Sequence, residues 1–404
     1  MQTLSTALNK AVNFVQARIS KVVGFTKPQM KFLYWLFERW LMLPVRYNFL
    51  NLSRYGGYSE KAIRDQFSKK LPFMALFHAL FAGLRNKECI AVFDPSYISK
   101  SGKKTYGLAK YWSGTAQKAK KGLEAGCLAL VDVKDATAYS MEVVQTPARS
   151  STESLVNHYT GVILQRAADI LRYSAVVAVD GYFMKEGFIS AVTATGLTVI
   201  SKARGDANMR YLFEGVQSKA RGRKKTFDGK VDWLGIDKRK WKLCYEDDEV
   251  RACEAVLWSI TLKRKLKVVY VKAKAGKGYE VLVCTNTEMK GRQVLRYYRL
   301  RFQIEFLIRD AKTHTGMEHC QARGEQKLYN HFNMAMMSVS VAKHQTWAKL
   351  PDKEQAAFSM RSIKTHCMNK YMTETIFSNL ALNLSCSKIK RLYNQCLNIG
   401  SMAA

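Results

Sequence analysis

Apolar residues recur at helical spacing over 4–23, 29–44, 59–68 and 74–84, so the first part of the chain reads as helical throughout. Within 53–70 (SRYGGYSEKAIRDQFSKK) a glycine turn precedes Ser59, a candidate N-cap, and a short basic amphipathic helix. That arrangement fits the reading helix of a helix-turn-helix, and equally an ordinary helical hairpin. At 88–94 (ECIAVFD) the period changes to a β-rich apolar run closed by Asp94. A basic loop is expected over 100–121, its lysines interleaved with Tyr106, Tyr111 and Trp112. Two strands follow at 126–133 and 138–145, then a helix over 151–171 opened by an imperfect capping box at Ser151 or Thr152. The run 174–180 (SAVVAVD) suits a doubly buried strand and again ends in an acid, Asp180. A short helix at 185–193 and a strand at 197–202 complete the series.

Three strands, a helix, a strand, a helix and a strand, with acids closing the first and fourth strands, is the order of a ribonuclease-H-like core. In that order the two acids become neighbours at one end of the sheet, where α/β sheets place their sites. The fold class expected is therefore α/β: a ribonuclease-H-like catalytic core with an inserted β-rich subdomain, flanked by helical N- and C-terminal regions. The insertion is read in 204–290, from β-like segments at 231–236, 241–245, 255–261, 267–272 and 279–284, and helices are expected over 327–350, 353–368 and 373–398. The divisions are a helical region at 1–86, the first part of the core at 87–203, the insertion, the acidic helix at 291–323, and a second helical region at 324–404.

The stretch 298–312, YRLRFQIEFLIRDAK, has no Gly or Pro and reads as one helix. Leu300, Ile304, Leu307, Ile308 and Ala311 form its buried stripe. At about 100° per residue, Tyr298, Arg301, Glu305 and Lys312 return to nearly one direction beside that stripe. A carboxylate flanked by a phenol, a guanidinium and an ammonium suits a metal-binding acid among groups that grip phosphates. The plainer reading is an Arg301–Glu305 pair that merely stabilises a helix.

Composition narrows the choice. A chain of 404 residues exceeds what one core usually organises, so two or three domains are expected. The net charge of +33 (65 Lys+Arg against 32 Asp+Glu) calls for a polyanion, nucleic acid before an anionic membrane. The longest apolar run, 71–84, contains His78 and falls short of the ~20 residues that span a bilayer, and no apolar segment of a signal peptide follows Lys10. Nine cysteines with no CxxC pair read as free buried thiols in a reducing cytosol. His314, His319 and Cys320 cluster but lack the opposing pair of ligands that zinc needs.

The spacing Tyr298-x2-Arg301-x3-Glu305-x6-Lys312 resembles the Tyr-Arg-Glu-Lys signature of cut-and-paste insertion-sequence transposases of the DDE class, insertion sequence family four. FDPSYISKSGKKTYG around Asp94 and VDGYF around Asp180 are similar to the first and second acidic motifs of the subgroup with a β insertion. The resemblance covers roughly 90–323, and it implies that 1–86 is a DNA-end-binding region and that 324–404 serves dimerisation and DNA contacts. It implies a DNA transposase that binds terminal inverted repeats, cleaves the ends through a hairpin intermediate and joins them to target DNA by two-metal phosphoryl transfer. It makes Asp94, Asp180 and Glu305 the catalytic metal ligands for Mg²⁺, with Mn²⁺ as a substitute, and Tyr298, Arg301 and Lys312 phosphate-binding residues. The partners implied are double-stranded DNA, as transposon ends and as target, and a second copy of the chain in a homodimer; no membrane is involved. The place implied is the bacterial cytoplasm, at the nucleoid. An extruded base needs an aromatic to stack on, and Trp258 is chosen from Trp233, Trp241 and Trp258 because AVLWSITLKRK leads into Lys263, Arg264 and Lys265; the alternative is that Trp258 is core. Two other functions stand beside transposition: a ribonuclease-H-like metal-dependent DNA nuclease, and a transposase-derived DNA-binding regulator.

Overall fold

The structure is a computed structural model that describes residues 14–400 apart from 20, 21, 23, 149–153, 218, 220, 277 and 348–357. Four helices lead in: α1 (Lys27–Met42), α2 (Phe49–Ser53), α3 (Glu60–Phe67) and α4 (Phe73–Leu80). Thr26 and Gln29 close a capping box at the start of α1, with Pro28 in its first turn, where a missing N–H costs nothing. Ser59 caps α3 as expected, and Ile63 and Phe67 bury its apolar side. Most of the helix expected over 4–23 lies outside the described residues.

The core elements are β1 (Cys89–Ser99), β2 (Ala109–Ser113), β3 (Lys118–Asp132), β4 (Thr137–Gln145), α5 (Leu155–Leu171), β5 (Val176–Val179), α6 (Glu186–Ala194) and β6 (Thr198–Ala203). Ser154 caps α5; the proposed caps Ser151 and Thr152 lie outside the described residues. Then come β7 (Met209–Leu212), β8 (Phe227–Lys230), β9 (Lys242–Glu246), β10 (Val250–Ser259), β11 (Arg264–Ala273) and β12 (Tyr279–Cys284). Helices α7 (Gly291–Leu300), α8 (Gln303–His314), α9 (Glu325–Trp347), α10 (Met360–Asn379) and α11 (Ser387–Leu397) follow.

All twelve described strands belong to one mixed sheet, ordered β2-β3-β1-β5-β6-β12-β11-β10-β7-β8, with β4 on β3 and β9 on β10. β1 runs parallel to β5, and β5 to β6; the rest pair antiparallel. The strands of 204–290 continue this sheet through β12 beside β6. β5, which has a parallel neighbour on each side, is apolar and buried throughout (VVAV). Phe93 meets Tyr159 of α5, so its strand neighbour Asp94 points to the other face, where α8 packs.

Several expectations change. The segment 100–121 is not simply a loop: Ala109–Ser113 and the start of β3 pair residue for residue. Asp94 does not end its strand. The parallel partner stops at Phe93↔Val179, but β1 runs on against β3 to Ser99, with Pro95 on the side that has lost its partner and needs no donor. The strand expected at 231–236 is irregular chain whose Val231 and Trp233 are nevertheless buried, while β7 and β8 had not been foreseen. The helix expected over 373–398 breaks between α10 and α11, and of the one expected over 353–368 the described part begins at Met360. Of the cysteines, all free, five are buried, Cys244, Cys253 and Cys396 are half-buried and Cys386 is exposed.

Candidate functional site

The stretch 298–312 is two helices, not one. Between α7 and α8 the backbone stays right-handed, but Phe302, Ile304 and Glu305 donate to carbonyls three residues back, those of Arg299, Arg301 and Phe302. This is a 3₁₀ tightening, in which side chains at i and i+3 eclipse. Its consequence is local: the Arg301 guanidinium lies 5.7 Å from the centre of the Tyr298 ring. The physical reason for the break is the sheet beneath. α7 packs on β9–β12 and β6, α8 on β1, β3 and β4, and a twisted sheet cannot be followed by one straight rod of that length.

Glu254 of β10 accepts the backbone N–H of Gly291 and so holds the start of α7. The other end of the pair is held more heavily. Trp40 Nε1 donates to the Thr315 carbonyl at 3.0 Å, Tyr47 Oη to that of His314 at 3.1 Å, and Lys364 Nζ to the same oxygen at 2.6 Å. Groups from α1, the following loop and α10 thus satisfy carbonyls that a helix end leaves open.

Between these anchors the expected residues gather. Asp94 stands where β1 loses β5, and Asp180 immediately follows β5, so adjacent parallel strands deliver both acids. The Asp180 carbonyl accepts from Ser201 Oγ at 3.0 Å and from the Phe183 N–H at 3.1 Å, which fixes the turn after the strand. Ser201 had not been singled out, and a lone serine in an apolar strand gave no signal. Arg301, 12 % exposed, bridges two elements: Nη2 lies 2.9 Å from Glu305 Oε1 and Nη1 3.4 Å from Asp94 Oδ1. Glu305 is 37 % exposed and Asp94 23 %. Lys312 Nζ donates to the Tyr97 carbonyl of β1 at 2.6 Å and stands 3.6 Å from Glu318, at the edge of the group.

The electrostatics follow from this crowding. Burial pushes the Asp94 carboxyl up to about 7; Arg301 opposes the rise, Glu305 and Asp180 add to it, and Lys312 opposes it. Burial likewise pushes the Tyr298 phenol up to about 12, with Asp180 adding to the rise against Arg301. For Arg301, burial disfavours the charge, but Asp94, Tyr298, Glu305 and Asp180 together raise its pKa above the usual value. Carboxylate charge here exceeds the local cationic charge.

A site that draws one acid from β1, one from the turn after β5 and one from a helix is accompanied by a family match in the sequence. The model of the transposase DDE domain matches residues 85–341. The chain belongs to that family. No curated protein sequence matches it. Among solved structures it is similar to a piggyBac transposase in a synaptic complex with hairpin DNA, seen by cryo-electron microscopy: 12 % identical, TM-score 0.40, covering 99 % of this chain and 84 % of that one.

In this transposase, among the described residues, no three His, Cys, Asp or Glu side chains stand close enough to hold one metal ion. The Arg301 guanidinium sits between two of the three acids. Among the described residues no helix is long and apolar enough to cross a membrane. The His314, His319 and Cys320 cluster serves packing: Cys320 is buried, and His319 Nδ1 accepts the Tyr47 N–H at 3.4 Å. Of the three tryptophans in 204–290, Trp233 and Trp241 are buried around Tyr270. Trp258 is only half-buried, its ring 5.9 Å from Phe227, with Arg210 and Lys265 opposite it on the neighbouring strands.

Proposed function

We propose that this transposase binds the terminal inverted repeats of an insertion sequence, cleaves the ends and joins them to target DNA. The observation that carries the reading is Arg301 bridging Asp94 and Glu305, with Asp180 near enough for its charge to act on Asp94. In this reading β4, β3, β1, β5 and β6 are a ribonuclease-H-like core, three antiparallel strands followed by two parallel ones. Asp94, Asp180 and Glu305 would hold Mg²⁺, with Mn²⁺ as a substitute. Hard oxygen donors, and a carboxyl that burial and neighbouring carboxylates keep protonated up to about pH 7, fit a divalent cation. When bound, two such ions supply an activated attacking oxygen and a steadied 3′ leaving oxygen.

The protein's own groups do the rest. Arg301 can clamp a phosphate bidentately once it leaves its carboxylates, and Tyr298 can donate one hydrogen bond to it. Lys312 adds a charge where β1 leaves the site. Half-exposed Trp258 offers a face for a base extruded near the end, as a hairpin intermediate requires. Two copies holding two ends would make the reactive complex.

The test is a linear DNA carrying the element's terminal repeats, incubated with Mg²⁺ and resolved on denaturing gels. Wild type should give nicks, hairpins and joined products. Glu305→Gln and Asp180→Asn should give none of these while binding the ends as wild type does. Cleavage by Glu305→Gln at the wild-type rate would remove the site. Cutting without joined products would favour a nuclease, and binding without cutting a regulator.

A further inference from the structure

The segment 100–121 holds seven lysines, Lys100, Lys103, Lys104, Lys110, Lys118, Lys120 and Lys121, and no acid. Its strands extend the sheet past the point where β5 ends. β2 pairs with the first part of β3, and Lys110 stands directly opposite Lys121, Trp112 opposite Ala119. Cross-strand partners share a face, so Lys110, Lys121 and Trp112 lie together. Like charges directly opposite destabilise a strand pair. Neither lysine has an ion-pair partner among the described residues, and Trp112 is 59 % exposed with no hydrogen bond or ring partner among them.

The other side of this arm is anchored. Tyr111 is buried, and its hydroxyl lies 2.9 Å from the Gly107 carbonyl oxygen and 3.0 Å from that of Pro147, donating its one proton between them. Gly107 has φ +72°, and a Cβ there would lie 2.6 Å from the Thr146 carbonyl oxygen, so the turn before β2 needs glycine. Tyr97 Oη donates to the Lys121 carbonyl at 2.8 Å. The cationic, aromatic face is therefore held in place at a cost that nothing within the described fold offsets. A polyanion such as duplex DNA offsets it, its phosphates pairing with the lysines while the exposed ring packs against the backbone sugars.

We propose that this arm, through Trp112, Lys110 and Lys121, grips the duplex of the element's own end at a distance from the reacting phosphate. The inference rests on the transposase reading above. The end, rather than target DNA, is the partner because the base of the arm runs into the N-terminal helical region. Lys100 lies close enough to Arg46 and Arg323 to feel their charge, and Arg323 lines a groove with Arg64 of α3 and Lys327. Asp94 is opposite Cys127 and Trp112 opposite Ala119, eight residues apart on β3, which is about 26 Å along the strand. That corresponds to roughly seven or eight nucleotides of duplex.

The experiment uses the full chain with a duplex of the terminal repeat and, separately, a target duplex lacking it. Trp112→Ala should weaken end binding without changing its salt dependence, and Lys110→Gln with Lys121→Gln should lower the slope of log K against log salt by about 2. Backbone protection by wild type should be lost in these variants only about seven or eight nucleotides from the cleaved phosphate. Trp112 and both lysines are exposed, so circular dichroism and the melting temperature should stay at wild-type values. End affinity and footprint unchanged in both variants would overturn the inference, while wild-type cleavage in the same samples would leave the transposase reading standing. Loss of target capture alone, with end binding intact, would also overturn it. Failure of wild type to bind or cut the ends would remove both.

Discussion

Asp94→Asn in metal-free protein isolates the cost of a buried carboxylate beside two other acids. Asp94 titrates at about 7 in the folded chain against an ordinary 3.8. The folded state therefore holds the proton more tightly than the unfolded one. The stability this contributes is fully present below about pH 4 and is lost as pH rises through about 7. A shift of about three units at 1.36 kcal/mol each is at most about 4 kcal/mol. Unfolding 404 residues at about 2.1 cal/mol/K each gives roughly 0.85 kcal/mol per kelvin, so the amide should melt about 3–5 °C above wild type at pH 8. At pH 5 wild type has regained about two-thirds of that energy, and the gap should shrink accordingly. The assay is thermal unfolding in EDTA at pH 5 and pH 8. Mg²⁺ is then titrated into each protein, alone and with end DNA. A variant less stable than wild type at pH 8, or a gap independent of pH, would refute the argument, as would equal stabilisation of both proteins by Mg²⁺.

Gly316 follows α8 with φ +67°, and a Cβ there would stand 2.2 Å from the Tyr47 ring. Gly316→Ala should cost about 2–4 kcal/mol, seen as a lower urea midpoint; an unchanged midpoint would mean that Tyr47 is not seated there. His331 is buried against the Gly316 carbonyl at 2.8 Å, and burial lowers its pKa to about 4. Its contribution is present above pH 6.5 and is lost as pH falls toward 4. His331→Gln should therefore lose about 3 kcal/mol less than wild type between pH 7 and pH 4 in urea titrations, and parallel losses would contradict this.

The two acids were legible because parallel strands buried on both faces must be apolar runs, and an Asp at the end of VVAV or of CIAVF breaks such a run visibly. Glu305 was legible through its spacing to Tyr298, Arg301 and Lys312. The break between α7 and α8 was not, since the apolar stripe of Leu300, Ile304 and Leu307 continues across it and hydrogen bonds to i−3 leave no mark in residue type. The arm was misread for a different reason. A strand is recognised by alternation between a buried and a solvated face, and at 118–121 every residue is exposed. Val231 and Trp233 failed in the opposite sense: they alternate and are buried, but as irregular chain packed on the sheet.

Arg301 decides what the Mg²⁺ titration should give with and without DNA. Its two nitrogens occupy Asp94 and Glu305, so in the free protein the guanidinium stands where a shared cation would have to sit. Binding of a cation by these acids then requires Arg301 to leave, and leaving costs a partly buried guanidinium its partners. A phosphate removes that cost, because it offers the same fork of nitrogens two oxygens in place of two carboxylates. On the proposed reading, DNA and metal therefore bind with positive coupling, and by linkage each strengthens the other by the same factor. Mg²⁺ should bind wild type more tightly with end DNA present than without. Asp94→Asn, which already frees one nitrogen and removes one ligand, should bind it weakly in both cases. Equal Mg²⁺ affinity of wild type in the two conditions would mean that the guanidinium is a fixed strut of the helix rather than a group the substrate displaces.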